Sequence, residues 1–203
     1  MITFANVIIQ VTHIQTNSIY RKDMYYISGD YIVLDIMNLK IKRLTFSAMI
    51  AALYFVFCFV EQSFASGAIQ CRLSEAFCLL PLFFPEAIIG VTIGCLIFNV
   101  TNGIVYDMIF GTLATLIAGI ITYFIGKFIK NKPLRIFLGG LSPVLLNAIV
   151  IPFVLIYGYE LTDAYFYLFL TVGIGEALAV YIAGTIIYFP LEILFKKFKL
   201  INE

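Results

Sequence analysis

From about residue 44 onward the chain alternates apolar runs with short polar breaks. The runs cover residues 44–60, 73–84, 86–100, 107–125, 136–157 and 165–189. A helix needs roughly 20 apolar residues to cross the hydrocarbon of a bilayer. The longer runs approach that length. The run at 73–84, closed by Pro81 and Pro85, is shorter. It crosses only by tilting, by extending into its flanks or by thinning the bilayer locally. The pattern predicts six helices and no strand-like alternation.

Charge orders these runs. Lys40, Lys42 and Arg43 precede the first. Lys127, Lys130, Lys132 and Arg135 fill one middle break, and Lys196, Lys197 and Lys199 close the chain. Short basic loops stay cytoplasmic. The three clusters therefore share one side, with four crossings between the first two and two crossings between the last two. Merging residues 73–100 into one span would break that parity. The expectation is an all-α integral membrane bundle of six transmembrane helices with both termini cytoplasmic. The breaks EQSFASGAIQCR, TNGIVY and GYELTD then face outside.

Composition agrees. Of 203 residues, 62% are hydrophobic and 12% charged, against about 45–50% and about 25% in soluble domains. The mean hydropathy is +1.01 and the mass 22.9 kDa, which leaves room for one membrane domain. A net charge of +1 offers no basic excess to neutralise phosphates, so nucleic-acid binding is excluded as a main role. Residues 1–36 are mixed and polar. They lack both a spanning run and the plan of a signal peptide. Met37, followed by basic residues and an apolar run, reads as the natural start. Residues 1–36 then form a mis-called upstream extension, the alternative being a genuine amphipathic or mobile tail, and 37–203 the membrane domain.

Residues able to carry chemistry are few. Cys58, Cys71, Cys78 and Cys95 show no metal-type spacing, and in apolar runs a cysteine behaves as a small hydrophobe. His13 is the sole histidine and lies outside the apolar runs, so no Ser-His or Cys-His pair exists in the membrane. No metal, cofactor or catalytic set is expected. Polar groups inside apolar helices are expensive and mark function by default. Arg72 and Glu75 sit where an outer loop enters the second run. Asn99 ends the third, Asp107 begins the fourth, and Asn147 and Glu176 lie midway along the fifth and sixth. Arg72 and Glu75, three apart, also fit a local ion pair. Asp107 also fits a helix cap, and Asn147 a helix–helix hydrogen bond. Glu176 is hardest to place without a partner, a proton or a ligand. Together they suggest a polar pocket open to the outside, over which Glu61 and Gln70 of the first outer loop can close. Glu86, on the other side, reads as a helix-start acid. Ala48 and Ala52 in the first helix, with Ser47 and Ala51 one step earlier, form strips of small residues that let another helix approach. Gly90 and Gly94 repeat the spacing and are expected to pack inside the bundle.

Several of these stretches resemble a known family. LTFSAMIAALYFV resembles the first helix of the S components of energy-coupling factor (ECF) transporters. AIQCRLSEAFCLLPLFFPEAIIGVTIGCLIFN, followed by DMIFGTLATLIAG, is similar to the QueT family of queuosine-precursor transporters. The resemblance runs from about Met37 to the last helix. It implies an S-component-like bundle in the cell membrane that captures a 7-deazaguanine such as preQ1 or preQ0, a solute that suits the polar pocket read from the residues, with Gln70, Arg72, Glu75, Asn99, Asp107, Asn147 and Glu176 as the expected substrate-binding set. It also implies Ala48 and Ala52 as the docking strip for a transmembrane coupling subunit, joined by two ATPase subunits. The chain has no phosphate-binding G-x-x-x-x-G-K-[ST] loop of its own. An S component for another vitamin-like solute is the nearest alternative. A stand-alone facilitator would spread its polar residues along the whole path, and an intramembrane enzyme would need a histidine or metal motif that is missing.

Overall fold

The computed structural model describes residues 39–62 and 72–197. Residues 1–38, 63–71 and 198–203 lie outside the described residues, and so do Gln70, Cys71 and the expected extension 1–36. The described chain is all helical: α1 (Leu39–Gln62), a 3-10 helix (Leu73–Leu82), α2 (Glu86–Asn102), α3 (Asp107–Phe128), α4 (Lys132–Gly158) and α5 (Tyr165–Lys197). The first helix is longer at both ends than the apolar run 44–60, so Glu61 stands on α1 and not in a loop. Four of these helices are long and apolar enough to cross a membrane. Their outward faces carry large apolar side chains, such as Phe59, Ile174 and Ile186. Water does not favour such a surface, whereas lipid does.

The 3-10 helix is the centre of the bundle. Nine of its ten residues are buried, from Ser74 to Leu82. It touches all five α-helices. A 3-10 helix rises about 2.0 Å per residue, against about 1.5 Å for an α-helix. Ten residues thus reach about 20 Å in place of about 15 Å, which lets a short run extend further along the bundle axis. Pro81 lies inside it and removes one donor near its end, and the Phe83 amide closes the last turn on the Leu80 carbonyl at 3.0 Å.

The neighbours make room with glycines. A Cβ on Gly126 of α3 would lie 2.5 Å from the Leu82 carbonyl oxygen and 2.8 Å from its Cα. One on Gly139 of α4 would lie 2.8 Å from a Leu82 methyl, and one on Gly184 of α5 2.9 Å from a Leu79 methyl.

Helices α1 and α2 run parallel. Arg43 pairs with Glu86 at 3.9 Å near their starts, and Gln62 donates to Asn102 at 2.7 Å near their ends. Gly90 and Gly94 face α1, and added Cβ atoms would lie 2.6 Å from the Ser47 carbonyl and 2.8 Å from that of Ala51. The Ser47 hydroxyl donates to the Glu86 carbonyl. Thus the Gly90/Gly94 strip packs inside, as expected, against Ser47 and Ala51. Ala48 and Ala52 remain exposed on the neighbouring face of α1.

At the end marked by Arg43 and Glu86, Phe195 of α5 packs edge-on against Phe46, Phe83 and Phe84. Lys132 at the start of α4 pairs with Glu192 there. All three basic clusters contribute residues to this one end. The opposite end holds Gln62, Arg72, Asn102 and Asp107.

Filling the Gly126 contact should be expensive, because the obstacle is backbone. Gly126→Ala is expected to destabilise the bundle by about 1–3 kcal/mol. Gly173→Ala meets only the Ala148 Cβ at 3.4 Å and should be near neutral. Thermal unfolding of both variants in detergent checks this.

Candidate functional site

Toward the end away from the basic clusters the interior buries five carboxyl and carboxamide side chains, beside hydroxyls such as those of Ser74 and Thr115: Glu75, Asn99, Asp107, Asn147 and Glu176 are all 3% exposed or less. The first turn of the 3-10 helix places Glu75. It accepts from the Tyr54 hydroxyl of α1 and from the Cys78 thiol at 2.9 Å. Tyr54 is itself buried in the aromatic core, so its hydroxyl has little choice of partner.

Arg72 precedes that helix and reaches α3, where it pairs with Asp107 at 3.7 Å. The local Arg72–Glu75 pair suggested by their spacing is therefore replaced by a longer-range one, since Tyr54 and Cys78 already occupy Glu75. The capping role for Asp107 also gives way. Its carboxylate makes no hydrogen bond to the turn and lies beside Arg72. Asp107 opens a π turn, Asp107–Gly111. A Cβ on Gly111 would overlap Asp107 Oδ1 and lie 3.2 Å from Asn99 Nδ2. Glycine at 111 thus keeps the space in which the carboxylate sits. Asn99, from the last turns of α2, donates to the main-chain oxygen of Asp107 at 2.9 Å and to Thr112 Oγ1 at 3.3 Å.

Asn147 and Glu176 meet across α4 and α5, with Nδ2 donating to Oε1 at 3.0 Å. A second π turn, Ala179–Ala183, follows Glu176 closely. Single π turns re-aim side chains and are frequent at functional sites. Here both lie next to buried acids.

These groups share one electrostatic field. Asp107 and Glu176 both act on the Arg72 guanidinium, and Glu75 and Glu61 act on Glu176. Glu61 accepts from the Ser74 amide at 3.4 Å and from its hydroxyl at 3.5 Å. Four carboxylates therefore share this field with one described guanidinium, which pairs directly with Asp107. Several acceptor atoms are buried with no hydrogen-bond donor among the described residues: Asn99 Oδ1, both Asp107 oxygens, Glu176 Oε2 and Glu61 Oε1. Buried polar atoms are normally satisfied, so this concentration is notable. No group of three or more metal-type ligands occurs among the described residues.

Sequence reasoning missed three participants. Tyr54 reads as one aromatic in an apolar helix. Its signal is the seven-residue spacing that puts Ser47, Tyr54 and Glu61 on one face of α1. Tyr159, just beyond α4, lies beside Asp107 and Asn102. Burial, with the Asp107 charge added, pushes its phenol above the ordinary value. Cys95 was read as a small hydrophobe. It is buried as one, yet its sulfur accepts from Asn99 at 3.4 Å and from Thr115 at 3.3 Å.

A second surface lies on α1 and α2. A groove of about 330 Å³ is lined by Leu44, Ser47, Ala48, Ala51, Ala52, Phe55, Ile89, Gly90, Ile93 and Ile97. The exposed Ala48 and Ala52 set its depth.

A bundle of apolar helices holding a buried cluster of acids and amides toward one end is the build of a membrane transport protein for a small solute, with several passes through the bilayer. The family model described as QueT transporter matches residues 44–192, and the chain belongs to the QueT transporter family. No curated protein and no solved structure matches it. The family implies a transporter rather than an enzyme.

The Glu75 contacts predict a stability effect. Tyr54→Phe leaves a buried carboxylate with one donor fewer and is expected to cost about 1–3 kcal/mol. Tyr157→Phe, at a residue 63% exposed, should change nothing. Thermal melts of the two purified variants provide the comparison.

Proposed function

We propose that the chain is the solute-capturing S component of an ECF-type transporter in the cell membrane, and that its solute is a queuosine precursor of the 7-deazaguanine type, preQ1 or preQ0. The observation that carries this reading is the set of buried acceptors without donors on Asn99, Asp107, Glu176 and Glu61. A guanine-like edge brings neighbouring N–H groups that a carboxylate accepts in pairs. The cationic aminomethyl group of preQ1 would suit the excess of four acids over one guanidinium. In this reading Arg72, Glu75, Asn99, Asp107, Asn147 and Glu176 bind the solute, together with Gln70, which lies outside the described residues. All six helical segments span, the site opens outward, and the basic end, with both termini, is cytoplasmic. Residues 1–36 are dispensable. The buried acids and amides gather toward one end, which favours capture over a continuous pore.

The groove over Ala48 and Ala52 is the proposed seat of a transmembrane coupling subunit, which two ATPase subunits energise. Small residues let a partner helix come close enough for dispersion contacts to hold it. Ala48→Trp or Ala52→Trp is expected to abolish co-purification with the coupling subunit while solute affinity of the isolated protein stays unchanged. Wild-type recovery of the complex would rule the groove out.

Binding titrations with preQ1 and preQ0 in detergent test the site. Glu176→Gln keeps volume but turns an acceptor into a donor, and should weaken binding by about 2–5 kcal/mol, thirtyfold to several-thousandfold. Glu86→Gln alters the opposite end, where Arg43 is its partner, and should leave affinity alone. Loss in Glu86→Gln with none in Glu176→Gln would overturn both the site and its sidedness. Mass spectrometry of solute retained through purification identifies the ligand directly.

A further inference from the structure

We propose that the start of α4 and the end of α5 form a binding site for the phosphate headgroup of an anionic lipid. The first observation is charge. Lys127, Lys130, Lys132, Arg135, Lys196 and Lys197 gather on the close of α3, the connection after it, the first turn of α4 and the last turn of α5. Glu192 is the one acid in these segments, and it is already engaged by Lys132 and, at 3.6 Å, by Lys196. Arg135 is turned inward, donating from Nη2 to the buried Tyr188 hydroxyl, and its Nε is buried with no acceptor among the described residues, which leaves the lysines as the exposed cations. The end is therefore rich in donors and positive charge beyond what the described residues use.

The second observation is depth. α4 has 27 residues, about 40 Å at the α-helical rise, against about 30 Å of hydrocarbon. The excess carries its first turn into the headgroup layer, where phosphates lie. The third is the surface beside the cations. Phe128 is 71% exposed, Phe137 55% and Leu134 46%, and Lys132 lies over the Phe189 ring at 4.7 Å. A free phosphate would engage the cations and leave this apolar surface bare. A phospholipid satisfies both, its phosphate held by the exposed lysines, its acyl chains against the phenylalanines.

The full chain is placed in nanodiscs of phosphatidylcholine alone or of equimolar phosphatidylcholine and phosphatidylglycerol, and separately in detergent with inorganic phosphate. The expected result is selective retention of phosphatidylglycerol by native mass spectrometry, with a higher melting temperature in its presence and no shift from inorganic phosphate. The double variant Lys127→Gln/Lys130→Gln removes two exposed cations and should weaken retention about fivefold for each. Equal retention of both lipids, an equal shift from inorganic phosphate, or undiminished retention by the double variant would each overturn the assignment.

Discussion

Everything in this bundle is arranged around a short helix that is buried on all sides from Ser74 to Leu82. The 3-10 helix Leu73–Leu82 touches every α-helix, and three of those helices carry a glycine where they meet Leu79 or Leu82. The tight winding draws the helix thin as well as long, so five others can close around it. Its first turn brings Glu75 into the interior, with Arg72 immediately before it. The element that organises the packing is therefore also the one that introduces charge into the core.

That charge then dictates the local chemistry. In an apolar interior a carboxylate needs donors, and the surroundings supply some of them unevenly. Glu75 is served by a phenol and a thiol, Glu176 by one amide, and Asp107 by an ion pair, with no hydrogen bond to its carboxylate among the described residues. The unevenness runs in one direction, toward acceptors. At the opposite end the balance reverses, with cations outnumbering acids and aromatic rings packed among them. The two ends differ in sign as well as in depth, which gives the molecule an electrical polarity along its axis.

Much of this was legible in the sequence. The apolar runs marked each helical segment, and the parity of the basic clusters kept residues 73–84 separate from 86–100, as the structure has them. Gly90 and Gly94 were placed inside, and Glu86 at a helix start. Other features were hidden for physical reasons. A buried apolar run carries no periodicity that separates a 3-10 helix from an α-helix, so the reach of Leu73–Leu82 could not be read. Partner choice was equally hidden. Arg72 and Glu75 are neighbours in sequence, but Tyr54 comes from another helix and settles the competition. The alternatives left open for Asn147 do not exclude each other, since it both bridges two helices and holds Glu176.

The two π turns make the length of the chain part of its chemistry. Each accommodates one residue more per turn than a regular helix would, and helical residues advance by about 100°. Removing a single residue from Asp107–Gly111 would let α3 wind regularly, at the expense of swinging Asp107 out of line with Arg72 and Asn99. A deletion there would leave composition, hydropathy and helix content almost untouched while dismantling the acid cluster. Sequence comparison within this family should therefore weigh gaps at these two turns as heavily as changes in the acids themselves.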